Sequence, residues 1–158
     1  MEKALYDSIE RYIGEHFIHP CRYMRHELIV CEEHDIPGIE DAISMAEESF
    51  SERLFSLIKE KGISEVECYK KAGITRQVFS KIRSNKGYNP SRNTAISLAI
   101  SLHLTLNETN ALLETAGFTL SRSSKADLII EYFIINRNWE LREINEALYS
   151  FGEDPINV

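Results

Sequence analysis

Residues 64–85, SEVECYKKAGITRQVFSKIRSN, have the pattern of two short helices joined by a tight turn. Ser64 and Glu67 predict a capping box at the start of the first helix, because each side chain can accept a hydrogen bond from the other residue's backbone N–H. Gly73 predicts the end of that helix. Thr75 predicts the N-cap of the second helix, which runs to the end of the stretch.

The same region is the basic part of an acidic chain. Between Glu67 and Glu108 there is no acidic residue, and seven basic residues give this window a charge of +7. Since the whole chain carries −7, the rest of it carries −14. Concentrated positive charge in an acidic protein predicts contact with a polyanion, and nucleic acid is the first candidate. The seven basic residues are Lys70, Lys71, Arg76, Lys81, Arg83, Lys86 and Arg92.

Three further helices are predicted around this pair. A stripe from Phe50 to Ile58, with apolar residues three and four apart, indicates an amphipathic helix before it. The helix from Thr94 to Leu104 is apolar on nearly every side, so we expect it to be central. Thr105 begins the next helix through a capping box with Glu108. The five predicted helices cover residues 49–61, 64–72, 75–84, 94–104 and 105–117.

The two ends of the chain predict extensions of this core. An amphipathic helix is predicted at 4–17, followed by a strand or extended segment at 22–31 and a turn at 35–38. Two more helices are predicted at the C-terminal end, from 124 and from 139 to 151. The predicted fold class is all-α: an N-terminal extension (1–46), a five-helix domain (47–118) and a C-terminal helical extension (119–158).

Composition excludes several classes of protein. The 158 residues are 43% hydrophobic and 27% charged, as in an ordinary globular protein. The N-terminus lacks the pattern of a signal peptide, and the longest apolar runs are too short to span a bilayer. Three scattered cysteines do not predict a disulfide framework. We therefore expect a cytoplasmic protein that does not contact a membrane.

Neither a metal site nor a catalytic site is predicted. Four histidines and two cysteines fall within 19 residues, but their spacing does not match that of zinc sites. There is no nucleophile elbow and no glycine loop that would hold a phosphate. We expect no cofactor and no enzyme activity. The six residues of the cluster are His16, His19, Cys21, His26, Cys31 and His34.

The helix predicted at 75–84 separates its polar and apolar side chains. At about 100° per residue, its polar side chains share an arc of roughly 140°, opposite the apolar ones. In the major groove arginine pairs well with guanine and glutamine with adenine, since each can form two parallel hydrogen bonds. The polar arc contains Arg76, Gln77, Ser80, Lys81 and Ser84, and the apolar side contains Val78, Phe79 and Ile82.

These predictions divide the polar residues into two sets. Arg76, Gln77 and Lys81 are the candidates for contacts with base edges. The basic residues that flank the helix are candidates for contacts with phosphates, which do not depend on base sequence. These are Lys70, Lys71, Lys86 and Arg92, and Ser80 on the helix itself is a further candidate for a phosphate contact.

Six short segments between residues 49 and 117 resemble a known family of DNA-binding domains. They are Gly62-Ile-Ser64, Lys71-Ala-Gly-Ile-Thr75, Phe79-Ser-Lys-Ile82, Asn89-Pro-Ser91, Thr94 to Ala99, and Leu104-Thr-Leu-Asn-Glu-Thr109. They are similar to the five-helix, lambda-repressor-like (Cro-type or XRE-type) helix-turn-helix family. The resemblance implies that helix 75–84 lies in the major groove, usually within a dimer that contacts two half-sites. It also implies a phosphate contact for Thr75.

Two residues depart from the family pattern and support an alternative. Tyr69 stands where the family has a small residue, so its ring is expected to alter how the two helices cross. Glu65 replaces a glutamine that contacts phosphate, and DNA would repel its charge. The first hypothesis is a sequence-specific regulator that binds duplex DNA. The second is an adaptor, sensor or antitoxin-like module that uses the same fold to bind a protein.

The apolar helix that begins at Ser124 leaves a second question open. Leucine, isoleucine and aromatic side chains occur on several of its sides. They predict either packing against the chain's own core or a homodimer contact through residues 124–151. The helical pattern alone does not separate these two possibilities.

Overall fold

The computed structural model describes residues 2–18 and 48–156. These residues form eight α-helices and no β-strand, so the predicted all-α class is confirmed for this part of the chain. The segments predicted at 22–31 and 35–38, and all of the histidine and cysteine cluster except His16, lie outside the described residues. The helices are α1 (Lys3–His16), α2 (Phe50–Lys61), α3 (Glu65–Lys71), α4 (Arg76–Ser84), α5 (Arg92–Ser101), α6 (Leu106–Thr115), α7 (Lys125–Ile135) and α8 (Leu141–Ser150).

Helix α5 is central, as its sequence predicts. Every side chain from Thr94 to Ser101 is buried, and the helix packs against α3 and α6. A helix that is apolar on all sides needs neighbours on all sides, which explains its position. α5 begins at Arg92, two residues before its predicted start. The reason is that the Ser91 hydroxyl accepts the Thr94 N–H at 3.2 Å and so takes the N-cap position.

The C-terminal helices belong to the same hydrophobic core as the others. Helix α7 contacts α1, α6 and α8, and five of its apolar side chains are buried. Ile9 and Ile13 of α1 are buried in this core, and the Tyr12 hydroxyl donates a hydrogen bond to Glu131 of α7 at 2.8 Å. Packing within the chain therefore covers most of α7. Its buried apolar residues are Leu128, Ile129, Ile130, Phe133 and Ile134.

A buried carboxylate joins the start of α5 to the start of α7. Asp127, only 3% exposed, forms an ion pair with the Arg92 guanidinium and accepts the Ser121 N–H at 2.8 Å. The Ser124 hydroxyl in turn accepts the Asp127 N–H at 3.3 Å, which caps α7. Arg92 is thus part of the packing between helices.

The two predicted capping boxes have different outcomes. Thr105 and Glu108 form the complete reciprocal pair, so this prediction is confirmed. Only half of the box predicted at Ser64 and Glu67 is present. The Ser64 hydroxyl accepts the Glu67 N–H at 3.2 Å, but the Glu67 carboxylate pairs with Lys71 at 2.8 Å. A lysine one turn away competes for the carboxylate, which explains the difference.

The Glu108 carboxylate gives a prediction for pH dependence. The Thr105 N–H, and then Lys61 at 3.1 Å, stabilise its ionised form and hold the pKa of Glu108 below its ordinary value of 4.5. Its contribution to stability is therefore complete above about pH 4.5 and is lost as the pH falls through the lower folded pKa. Glu108→Gln should lower the free energy of unfolding at pH 7 by about 0.5 to 1 kcal/mol. The difference from wild type should shrink in urea titrations as the pH falls below 4.5. A difference that stays constant as the pH falls would contradict this expectation.

Candidate nucleic-acid interface

A fixed turn sets the relative positions of α3 and α4. Gly73 has a φ of 65°, in the left-handed region that glycine adopts without strain, and its N–H donates to the Lys70 carbonyl at 3.1 Å. The Ile74 N–H donates to the Tyr69 carbonyl at 3.1 Å. The Thr75 hydroxyl then caps α4 by accepting the Val78 N–H at 3.3 Å. The predicted turn and cap are both confirmed.

One side of α4 is held in the core. Phe79 is 2% exposed and Ile82 is fully buried. The Phe79 ring lies between Phe55 of α2, with ring centroids 5.7 Å apart, and Tyr69 of α3, at 5.5 Å. The Ser51 hydroxyl donates a hydrogen bond to the Ile82 carbonyl at 2.8 Å. These contacts fix the orientation of α4 and of the side chains on its other side.

The other side of α4 faces solvent. Arg76, Gln77, Ser80 and Lys81 are all exposed, so the predicted separation of polar and apolar sides is confirmed. None of the described residues forms an ion pair or hydrogen bond with the side chain of Arg76, Gln77 or Lys81. The structure thus brings the three predicted base-contacting side chains to one solvent-facing side of a fixed helix.

Among the seven basic residues of the window, four have a carboxylate partner. Lys71 pairs with Glu67 at 2.8 Å, Lys86 pairs with Glu52 at 2.8 Å, and Arg83 pairs with Glu65. Arg92 pairs with Asp127. The local charge is therefore smaller than the sequence window indicates, because folding brings carboxylates to it from other segments. Among the described residues, Lys70, Arg76 and Lys81 have no such partner.

The ion pair between Lys86 and Glu52 shifts the pKa of both groups. The hydrogen bond from Lys86 lowers the pKa of Glu52, and the same contact raises the pKa of Lys86. Both side chains are therefore charged at neutral pH. Since both are exposed, this pair can open when another anion approaches Lys86.

The remaining predicted phosphate contacts differ in how accessible they are. Thr75 and Ser80 are exposed on or beside α4, and Lys70 is exposed on α3. The Arg92 guanidinium, by contrast, is held by Asp127 and lies 3.5 Å from the Thr119 carbonyl. Among the predicted phosphate contacts within the described residues, Arg92 is therefore the one whose side chain pairs with a buried carboxylate.

A groove runs along the outer surface between α3 and α4. Its volume is about 410 Å³. The half-buried Tyr69 contributes aromatic surface to it, and Val66 is 49% exposed. The sequence predicts that the Tyr69 ring alters how the two helices cross, but it does not predict that this ring lines an open groove. The lining residues are Glu65, Val66, Tyr69, Arg76, Phe79, Ser80 and Arg83.

Comparison with known proteins finds no family model, no curated protein and no solved structure that matches the chain. Within residues 2–18 and 48–156, no group of three or more histidine, cysteine or acidic side chains is arranged to hold a metal ion. No helix in that part of the chain is long and apolar enough to cross a membrane.

Proposed function

We propose that the protein is a sequence-specific DNA-binding transcriptional regulator with a repressor-like, five-helix core formed by α2–α6. The observation that carries this proposal is the solvent-facing side of α4. It presents Arg76, Gln77 and Lys81 without partners among the described residues, while Phe79 and Ile82 fix the opposite side. Arginine and glutamine in these positions match the hydrogen-bonding edges of guanine and adenine.

The dimensions of α4 are consistent with this role. Its nine residues give a length of about 13 Å along the helix axis. The major groove, about 12 Å wide, admits an α-helix lying in it. The Phe79 ring of α4 is held by Phe55 and Tyr69, so that little order needs to be gained on binding. A helix with one side fixed in the core and the other facing solvent is the element that makes base contacts in this class of domain.

Residues around α4 provide the phosphate contacts in this proposal. Lys70 is unpaired among the described residues, whereas Lys71 and Lys86 must exchange a carboxylate for a phosphate. Thr75 and Ser80 add hydroxyl donors. Arg92 is left out of the proposed interface because Asp127 holds it.

Binding of the wild-type protein to random duplex DNA tests the proposal. Fluorescence anisotropy with a labelled 24-base-pair duplex should give a dissociation constant of about 10⁻⁴ to 10⁻⁶ M near physiological salt. Affinity should fall with salt with a log–log slope of about −3 to −5, as expected for three to five phosphate contacts. If a folded protein shows no binding at 50 mM salt, where such contacts are strongest, the proposal fails.

One observation favours the alternative function, a module that binds another protein. The groove between α3 and α4 combines the exposed Val66 with Tyr69, and the neighbouring Glu65 carboxylate is unfavourable for DNA. In that case the same groove would bind a protein segment. The anisotropy experiment separates the two functions, because the alternative predicts no binding to duplex DNA.

A further inference from the structure

One ion pair links α3 and α4 across the groove. Glu65 is the first residue of α3, and Arg83 lies in the last turn of α4. Their side chains are 38% and 58% exposed, respectively. Both line the groove, together with Arg76 and Ser80. The residues that line the groove thus include two arginines and two hydroxyl side chains, those of Tyr69 and Ser80, with a single carboxylate among them.

A phosphate could also occupy the position of the Glu65 carboxylate beside Arg83. A guanidinium group binds carboxylates and phosphates through the same planar set of N–H donors. A phosphate that approached Arg83 would therefore compete directly with the Glu65 carboxylate. Since both side chains are more than one third exposed, the pair is weak enough to exchange partners.

We propose that Arg83 is a further phosphate-binding residue and that Glu65 occupies its binding position until DNA displaces it. This inference rests on the proposed function. Glu65 then lowers affinity for every DNA sequence alike, because its carboxylate must leave Arg83 before a phosphate can bind. Base contacts from α4 are unaffected by this exchange, so the ratio of affinities for different DNA sequences stays the same.

The test compares Glu65→Gln with the wild type on random duplex DNA over a series of KCl concentrations. Glutamine keeps the size of the side chain but frees Arg83. The expected result is about a tenfold increase in affinity at 50 mM KCl, with a log–log salt slope steeper by about one. Glu114→Gln is the matched control, because it removes one exposed negative charge from α6, outside the groove. It should change affinity less than twofold, as expected for a distant, screened charge.

A second pair of variants assigns the effect to Arg83. In an Arg83→Ala background, Glu65→Gln should give no increase in the salt slope, because the side chain that it frees is absent. An equal increase in both backgrounds would overturn the assignment to Arg83. An unchanged slope for Glu65→Gln, with wild-type binding intact, would overturn the inference and leave the proposed function standing. No binding by any of these folded variants would contradict the proposed function itself.

Discussion

The double variant Arg76→Ala/Lys81→Ala is expected to bind random duplex DNA about 100-fold more weakly than the wild type at 50 mM salt. On random DNA these side chains meet phosphates and not a specific base, and each cation is expected to contribute about a factor of ten at this salt concentration. Removing two cations should also make the log–log salt slope less negative by about two. Both side chains are exposed and lack partners among the described residues, so the fold should not change.

Anisotropy titrations over a series of salt concentrations measure both quantities. The matched control is Lys125→Ala/Arg142→Ala, which removes the same charge from exposed positions on α7 and α8. This control should lose less than threefold in affinity, as expected for long-range electrostatic attraction alone. Equal losses in the two double variants would show that overall charge, and not α4, determines binding.

Replacement of Asp127 by alanine is expected to lower the free energy of unfolding by about 3 kcal/mol. The variant removes the ion pair that joins the start of α5 to the start of α7, and with it the acceptor of the Ser121 N–H. Asp127 is 3% exposed, so both contacts are made to a side chain that is shielded from water.

Urea unfolding followed by circular dichroism measures this loss. Asp154→Ala, at an exposed position near the C-terminus, should change stability by less than about 0.5 kcal/mol. Adding Arg92→Met to Asp127→Ala should recover part of the loss, because it removes the charge left without a partner. A loss below about 1 kcal/mol for Asp127→Ala would show that the ion pair between the starts of α5 and α7 does not stabilise the fold.

Local patterns in the sequence predict much of this fold. N-caps such as Thr75 and Thr105 mark helix starts correctly, because a cap depends on residues only three positions apart. The two sides of α4 follow from the helical period, and the buried position of α5 follows from its apolar composition. The displaced start of α5 shows the limit of such patterns. Ser91 and Thr94 are both good caps, and the sequence does not rank them.

The electrostatics of the candidate site could not be predicted in the same way. An acid-free window counts only charges that are neighbours along the chain. Glu52 and Asp127 come to this region from other helices, and their pairing with Lys86 and Arg92 depends on tertiary packing. Glu65 and Arg83 are likewise separated by the turn, so their contact required the geometry of α3 and α4. The sequence predicts which helix would face DNA, but overstates the positive charge around it.

The central claim is that α4 is the surface that contacts DNA, and two-dimensional ¹⁵N–¹H NMR tests it most directly. At 18.2 kDa the chain is suitable for residue-by-residue mapping during a titration with duplex DNA. The account predicts that amide shifts concentrate between residues 64 and 90, with the largest from Thr75 to Ser84 and at the Gln77 side-chain amide. Shifts that spare α4, or that concentrate on α7 and α8, would contradict it.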